Sequence, residues 1–168
     1  MPNPGSAQVC NPLKNKYLAT WHIVCITNKW IGTMKTIKER VKMKKVLVVE
    51  DHPDMLEILT WQMEILRFSV ITAKNGKEGV EKAFEEKPQL ILMDIMMPGM
   101  DGQEATRMIR ANSETQEIPI LAATALFRGS DIRSCFEAGC NDYISKPFTF
   151  QELQRKIQEF VPDTYVPI

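Results

Sequence analysis

The chain has 168 residues, 44% of them hydrophobic and 25% charged, which bounds it to about one ordinary globular domain. The apolar-leaning stretch 17–34 is interrupted by His22, Asn28 and Lys29, too short and too polar for a membrane span, and residues 1–11 lack the basic start of a secretory signal. The zero net charge hides a split: residues 1–45 carry nine Lys/Arg and one acid (+8), whereas residues 46–168 carry twelve against twenty (−8), so the two segments do not read as parts of one domain.

Residues 1–42 show no sustained period of 2 or 3.6 and are expected to be an extension, disordered or foreign to the native protein. The pattern changes at Met43. Val46-Leu47-Val48-Val49 is a short β-branched run bounded by charges, as in a buried parallel strand. Pro53 suits the first turn of a helix, and Met55, Leu56, Ile58, Leu59, Met63 and Leu66 recur at helical spacing. A strand over 69–73 and the turn dipeptide Asn75-Gly76 precede a helix over 77–86, with Val80, Ala83 and Phe84 on one face and Pro88 as its stop. Leu90-Ile91-Leu92-Met93 is a third strand, ending in Asp94. Pro98, Gly99 and Gly102 mark a loop before a helix over about 103–112. Pro119 opens a strand over 120–123, a helix spans about 131–138 with Gly139 as its stop, residues 143–145 form a last strand, and 150–160 a last helix. Five strands alternating with five helices imply an α/β, doubly wound fold with a parallel sheet, whose site lies beyond the carboxyl ends of the strands.

Those ends carry chemistry. The first strand runs into Glu50-Asp51, the third into Asp94, the fourth into Thr124 and the fifth into Lys146-Pro147. Each has an ordinary reading taken alone: a helix or turn cap for the acids, a strand end for Thr124, a solvated cation for Lys146. Together they gather three carboxylates, a hydroxyl and an ammonium on one rim. Crowded carboxylates require a counter-charge, and an all-oxygen set beside phosphate chemistry suits Mg²⁺. The four cysteines, Cys10, Cys25, Cys135 and Cys140, form no C-x-x-C pair and offer a zinc site little support; thiols in a reducing cytoplasm are expected.

The segments Val-Leu-Val-Val-Glu-Asp (46–51), Leu-Met-Asp-Ile-Met-Met-Pro-Gly-Met-Asp-Gly (92–102), Ala-Ala-Thr-Ala (122–125) and Asp-Tyr-Ile-Ser-Lys-Pro-Phe (142–148) resemble, in that order, the receiver domain of two-component response regulators. The resemblance covers about residues 44–161. It implies a flavodoxin-like (βα)5 fold with strand order 2-1-3-4-5. It further implies that Asp94 accepts a phosphoryl group from a histidine kinase or phosphotransfer protein. Mg²⁺ would be held by Asp51, Asp94 and the backbone carbonyl of Met96, with Glu50 acting through water. Thr124 and Lys146 would bind phosphoryl oxygens, Tyr143 would be the switch aromatic, and the Lys146–Pro147 bond would be cis. The acid pair is Glu-Asp rather than the commoner Asp-Asp. Met96 and Leu126, two beyond Asp94 and Thr124, offer no group to orient an attacking water, so slow loss of phosphate is expected. Such a receiver catalyses its own phosphorylation and is not an enzyme in the ordinary sense.

The domain is expected over 43–162, with 163–168 a short tail too small for a DNA-binding or catalytic module. A stand-alone cytoplasmic receiver would signal by binding a downstream protein, or pass its phosphoryl group along a phosphorelay. Met43-Lys44-Lys45-Val46 is a natural native start. Two other classes compete with this reading. The basic segment 1–45 could bind nucleic acid or an anionic membrane, although its cations are scattered without an amphipathic stripe. A flavin- or nucleotide-binding protein of similar shape is opposed by the missing glycine-rich loop after the first strand.

Overall fold

The computed structural model describes residues 43–125 and 129–162. The basic segment, Leu126 and the tail after residue 162 lie outside them, and so do the expectations placed on them. The described elements run β1 (Lys45–Val49), α1 (Pro53–Ile65), β2 (Ser69–Ala73), α2 (Gly76–Glu86), β3 (Leu90–Asp94), α3 (Gly102–Ala111), β4 (Ile120–Thr124), α4 (Gly129–Ala138), β5 (Asp142–Ser145) and α5 (Phe150–Phe160). All four strand pairings are parallel, in the order β2-β1-β3-β4-β5. The described residues therefore form the expected α/β fold with strand order 2-1-3-4-5.

Strand periodicity of 2 divides the core into two layers. Val46, Val48, Leu90, Leu92, Leu121, Ala123 and Ile144 point to one face, where Leu56, Leu59 and Met63 of α1 and Leu153 and Ile157 of α5 cover them. Leu47, Val49, Ile91, Met93, Ile120 and Ala122 point to the other, beneath Val80 and Ala83 of α2, Ala105 and Ile109 of α3, and Cys135 of α4. This two-sided burial is why the central strands read as unbroken apolar runs rather than alternating ones. Not every apolar residue at helical spacing on α1 is buried: Ile58 is 49% exposed, and Trp61 is exposed as well.

Three helices begin one or two residues before their predicted starts, at Gly76, Gly102 and Gly129. Two of these starts have a cap that explains the shift. Asn75, read as part of a turn, accepts from the Glu78 N–H at 2.9 Å, and Asp101 accepts from the Glu104 N–H at 2.8 Å. At α5, Thr149 and Glu152 form a reciprocal capping box. The end of α2 follows from Pro88, which disfavours helical dihedrals at Lys87 and leaves it left-handed at φ 45°.

Arg110 fastens three segments below the sheet. Its guanidinium donates to the carbonyls of Gly139 (2.9 Å), Gln116 (2.8 Å) and Ile118 (2.8 Å) and to Asn141 Oδ1 (2.7 Å). Gly139 has φ +106°, and a Cβ there would lie 2.8 Å from the Arg110 side chain, so this helix stop requires glycine twice over.

Candidate functional site

The register decides what meets at the carboxyl edge. Val49 lies beside Met93, so Glu50 and Asp51 follow β1 at the level where Asp94 ends β3. Asp94 pairs with Ala123, which puts Thr124 one step beyond it, and Thr124 pairs with Ser145. The Lys146 N–H then donates to the Thr124 carbonyl at 2.8 Å, bringing the lysine to the same rim. Four parallel strands in register thus gather residues up to 96 positions apart.

At the centre, the Lys146 ammonium bridges two carboxylates. Its Nζ lies 2.6 Å from Glu50 Oε2 and 3.0 Å from Asp94 Oδ2. Glu50 is only 3% exposed and Asp94 6%, so both depend on the shared cation far more than surface acids would. Burial pushes the Glu50 carboxyl above its ordinary range, Asp94 adds to the push, and the hydrogen bond and charge of Lys146 oppose it. Asp51 is exposed beside them, and ligand oxygens of Glu50, Asp51 and Asp94 all lie within 4.8 Å of one another. A hard divalent cation such as Mg²⁺ fits this donor set: three oxygens, one of them at an open edge, and an excess of negative charge over the single lysine.

The remaining predicted residues fall around this group. Thr124 is fully buried at the end of β4. The Met96 N–H donates to Asp94 Oδ1 at 3.1 Å, while its side chain stands 58% exposed. The Lys146–Pro147 bond is cis. Tyr143 is half-buried on β5.

Two features of the site were not read from the sequence. Glu50 is a direct partner of Lys146, a pairing between chain-distant residues that spacing cannot reveal. Gly102, read as a loop marker, starts α3 against the backbone of β3: its N–H donates to the Ile95 carbonyl at 3.1 Å, and a Cβ there would come within 2.0 Å of the Asp94 carbonyl oxygen and 2.8 Å of Ile95 Cα. The signal for it is a glycine after an aspartate cap, common in loops and unspecific alone.

Comparison with known proteins gives a consistent picture. The response regulator receiver domain model matches residues 46–158. Protein PilH of Pseudomonas aeruginosa is 36% identical over 115 residues, covering 68% of this chain and 95% of that protein. The polar-differentiation response regulator DivK of Brucella anthropi is 32% identical over 120 residues, covering 71% and 98%. The alkaline phosphatase synthesis transcriptional regulatory protein PhoP of Bacillus subtilis is 36% identical over 115 residues, and there the chain spans only about half the relative (47%). Among solved structures, the receiver domain of the sensor histidine kinase PA1611 from Pseudomonas aeruginosa, with magnesium coordinated in its active-site cleft, superposes with a TM-score of 0.68 at 36% identity, over 72% of this chain and 99% of that one. Among the described residues, no helix is long and apolar enough to cross a membrane. The sheet order, the acid cluster at its carboxyl edge and the match over residues 46–158 place this chain in the response regulator receiver domain family of two-component signalling.

Proposed function

We propose that Asp94 is the phosphoacceptor of a receiver that takes its phosphoryl group from a histidine kinase or phosphotransfer protein. The observation that carries this reading is the Lys146 bridge between Asp94 and Glu50 beside Asp51. Asp51, Asp94 and the Met96 carbonyl would hold Mg²⁺, with Glu50 acting through water, and the ion would neutralise phosphoryl charge that three carboxylates otherwise repel.

The protein's own part is to position and to neutralise. An Asp94 carboxylate oxygen attacks phosphorus, a P–O bond forms, and the P–N bond to the donor imidazole breaks with its electron pair returning to the ring. The Met96 N–H fixes the other oxygen, Oδ1, and so orients the nucleophile. Lys146, 3.0 Å from Asp94 Oδ2, would reach the equatorial oxygens and offset developing charge. The Thr124 hydroxyl would bind a further oxygen, and Tyr143 would turn inward as Thr124 moves. Borohydride trapping of the acyl phosphate, followed by peptide mapping, tests the reading: reduction should fall on the peptide bearing Asp94, and a label on any other residue would refute it.

Phosphate loss should be slow. The exposed, apolar Met96 side chain at the mouth of the site has no atom to align a water for attack on the acyl phosphate. A phosphoryl lifetime of many minutes or longer is expected, and Met96→Asn should shorten it several-fold, less than the about hundredfold low end for a positioned proton-transfer group because an amide orients water without taking its proton. Rapid decay unchanged by Met96→Asn would contradict this.

The output would be a phosphorylation-dependent contact with a separate protein at the face made by β4, α4, β5 and α5, or onward phosphotransfer.

A further inference from the structure

Tyr143 is held by two elements other than its own strand. Its ring meets Phe136 of α4 edge to face, with centroids 6.2 Å apart and planes at 86°. The Lys156 ammonium of α5 stands 5.9 Å from the same ring's centroid. Lys156 is itself tethered, because it forms an ion pair with Asp142, the residue preceding Tyr143. Phe136 is not explained by the core. Its helix anchors through Cys135 and Ala138, while Phe136 remains 45% exposed.

We infer that Phe136 and Lys156 are positioning residues that hold the Tyr143 ring where it is and so set how readily the phosphorylated state forms. The inference rests on the reading of Asp94 as acceptor and Tyr143 as switch. An edge-to-face pair and a cation over a ring are both steep in geometry. A turn of the ring would change both contacts, because Phe136 lies on a different element from Tyr143 and Lys156 is paired with Asp142. Contacts made in one of two states shift the equilibrium by their full differential strength. These two therefore bias the switch, and weakening them should change the phosphoryl signal needed to drive it.

The test uses the full chain with its tyrosines, Tyr17, Tyr143 and Tyr165, replaced by 3-fluorotyrosine, followed by fluorine NMR during titration with beryllofluoride in saturating Mg²⁺. Phe136→Ala, and Phe136→Leu as the variant that keeps apolar volume, should move the Tyr143 resonance and shift the beryllofluoride midpoint about three- to tenfold. Phe136→Trp, which restores an aromatic edge, should return the midpoint toward wild type. A Tyr143 resonance unmoved in Phe136→Ala, or variant midpoints equal to wild type while wild type titrates normally, would overturn the inference alone. A wild-type protein blind to beryllofluoride would overturn the reading of Asp94 and this inference with it.

Discussion

Replacing Lys146 with methionine is expected to cut Mg²⁺-dependent phosphorylation by about a hundredfold or more, the scale on which removal of one positioned charge-stabilising donor acts. The same change should destabilise the metal-free protein at neutral pH. Glu50 and Asp94 share the Lys146 ammonium at 2.6 and 3.0 Å, and both are nearly sealed from water. Removing the cation leaves two facing buried carboxylates, and breaking a buried pair in this way costs about 3 kcal/mol. Two dependencies distinguish this cause from loss of packing. Mg²⁺ should restore part of the deficit, because it binds only the folded arrangement of acids. Acid should restore part as well. The folded-state pKa of Glu50 lies above its ordinary value of 4.5, so the native state takes up a proton before the unfolded one does. That contribution is lost as pH rises through the folded pKa and is regained as pH falls toward 4.5; without Lys146 the folded value rises further and the regain begins at higher pH. Urea melts of wild type and Lys146→Met across this range, with and without Mg²⁺, would show a gap that narrows on acidification. A gap independent of both pH and Mg²⁺ would contradict the ion-bridge account.

Gly102→Ala should damage the site from behind. The added methyl would sit 2.0 Å from the carbonyl oxygen of Asp94, a backbone atom that no side-chain rotation can move aside. Either α3 retreats or the end of β3 shifts, and the second moves the nucleophile itself. Overpacking of this kind costs about 1–3 kcal/mol. Because the strain falls on the peptide of Asp94, the phosphorylation rate should drop by more than the stability loss explains. A urea midpoint and a phosphorylation rate both within error of wild type would show that the contact tolerates a methyl group.

The strand ends were legible because chemistry and periodicity coincide there. Runs such as Leu90–Asp94 are apolar up to a single acid, and in a parallel sheet every such acid must emerge on the same edge. Spacing could not say which acid meets Lys146, since that depends on register between β1, β3 and β5; the structure gives Lys146 to Glu50 as well as to Asp94. Close approach was equally hidden. Gly102 reads as a loop marker and Gly139 as a helix stop, yet each is also closely approached by the backbone or side chain packed against it. The apolar spacing of α1 includes Ile58, which is exposed, because a helix stripe read from sequence has no measure of its own width. The Phe136–Tyr143 contact joins α4 to β5, and nothing local in either segment announces it.

The central claim is that Asp94 carries the phosphoryl group, and intact mass after incubation with Mg²⁺ and a small phosphodonor tests it most directly. The unmodified chain should gain one phosphoryl group only when Mg²⁺ is present, and Asp94→Asn should gain none. An Asp94→Asn protein phosphorylated to the same extent as wild type would contradict the account.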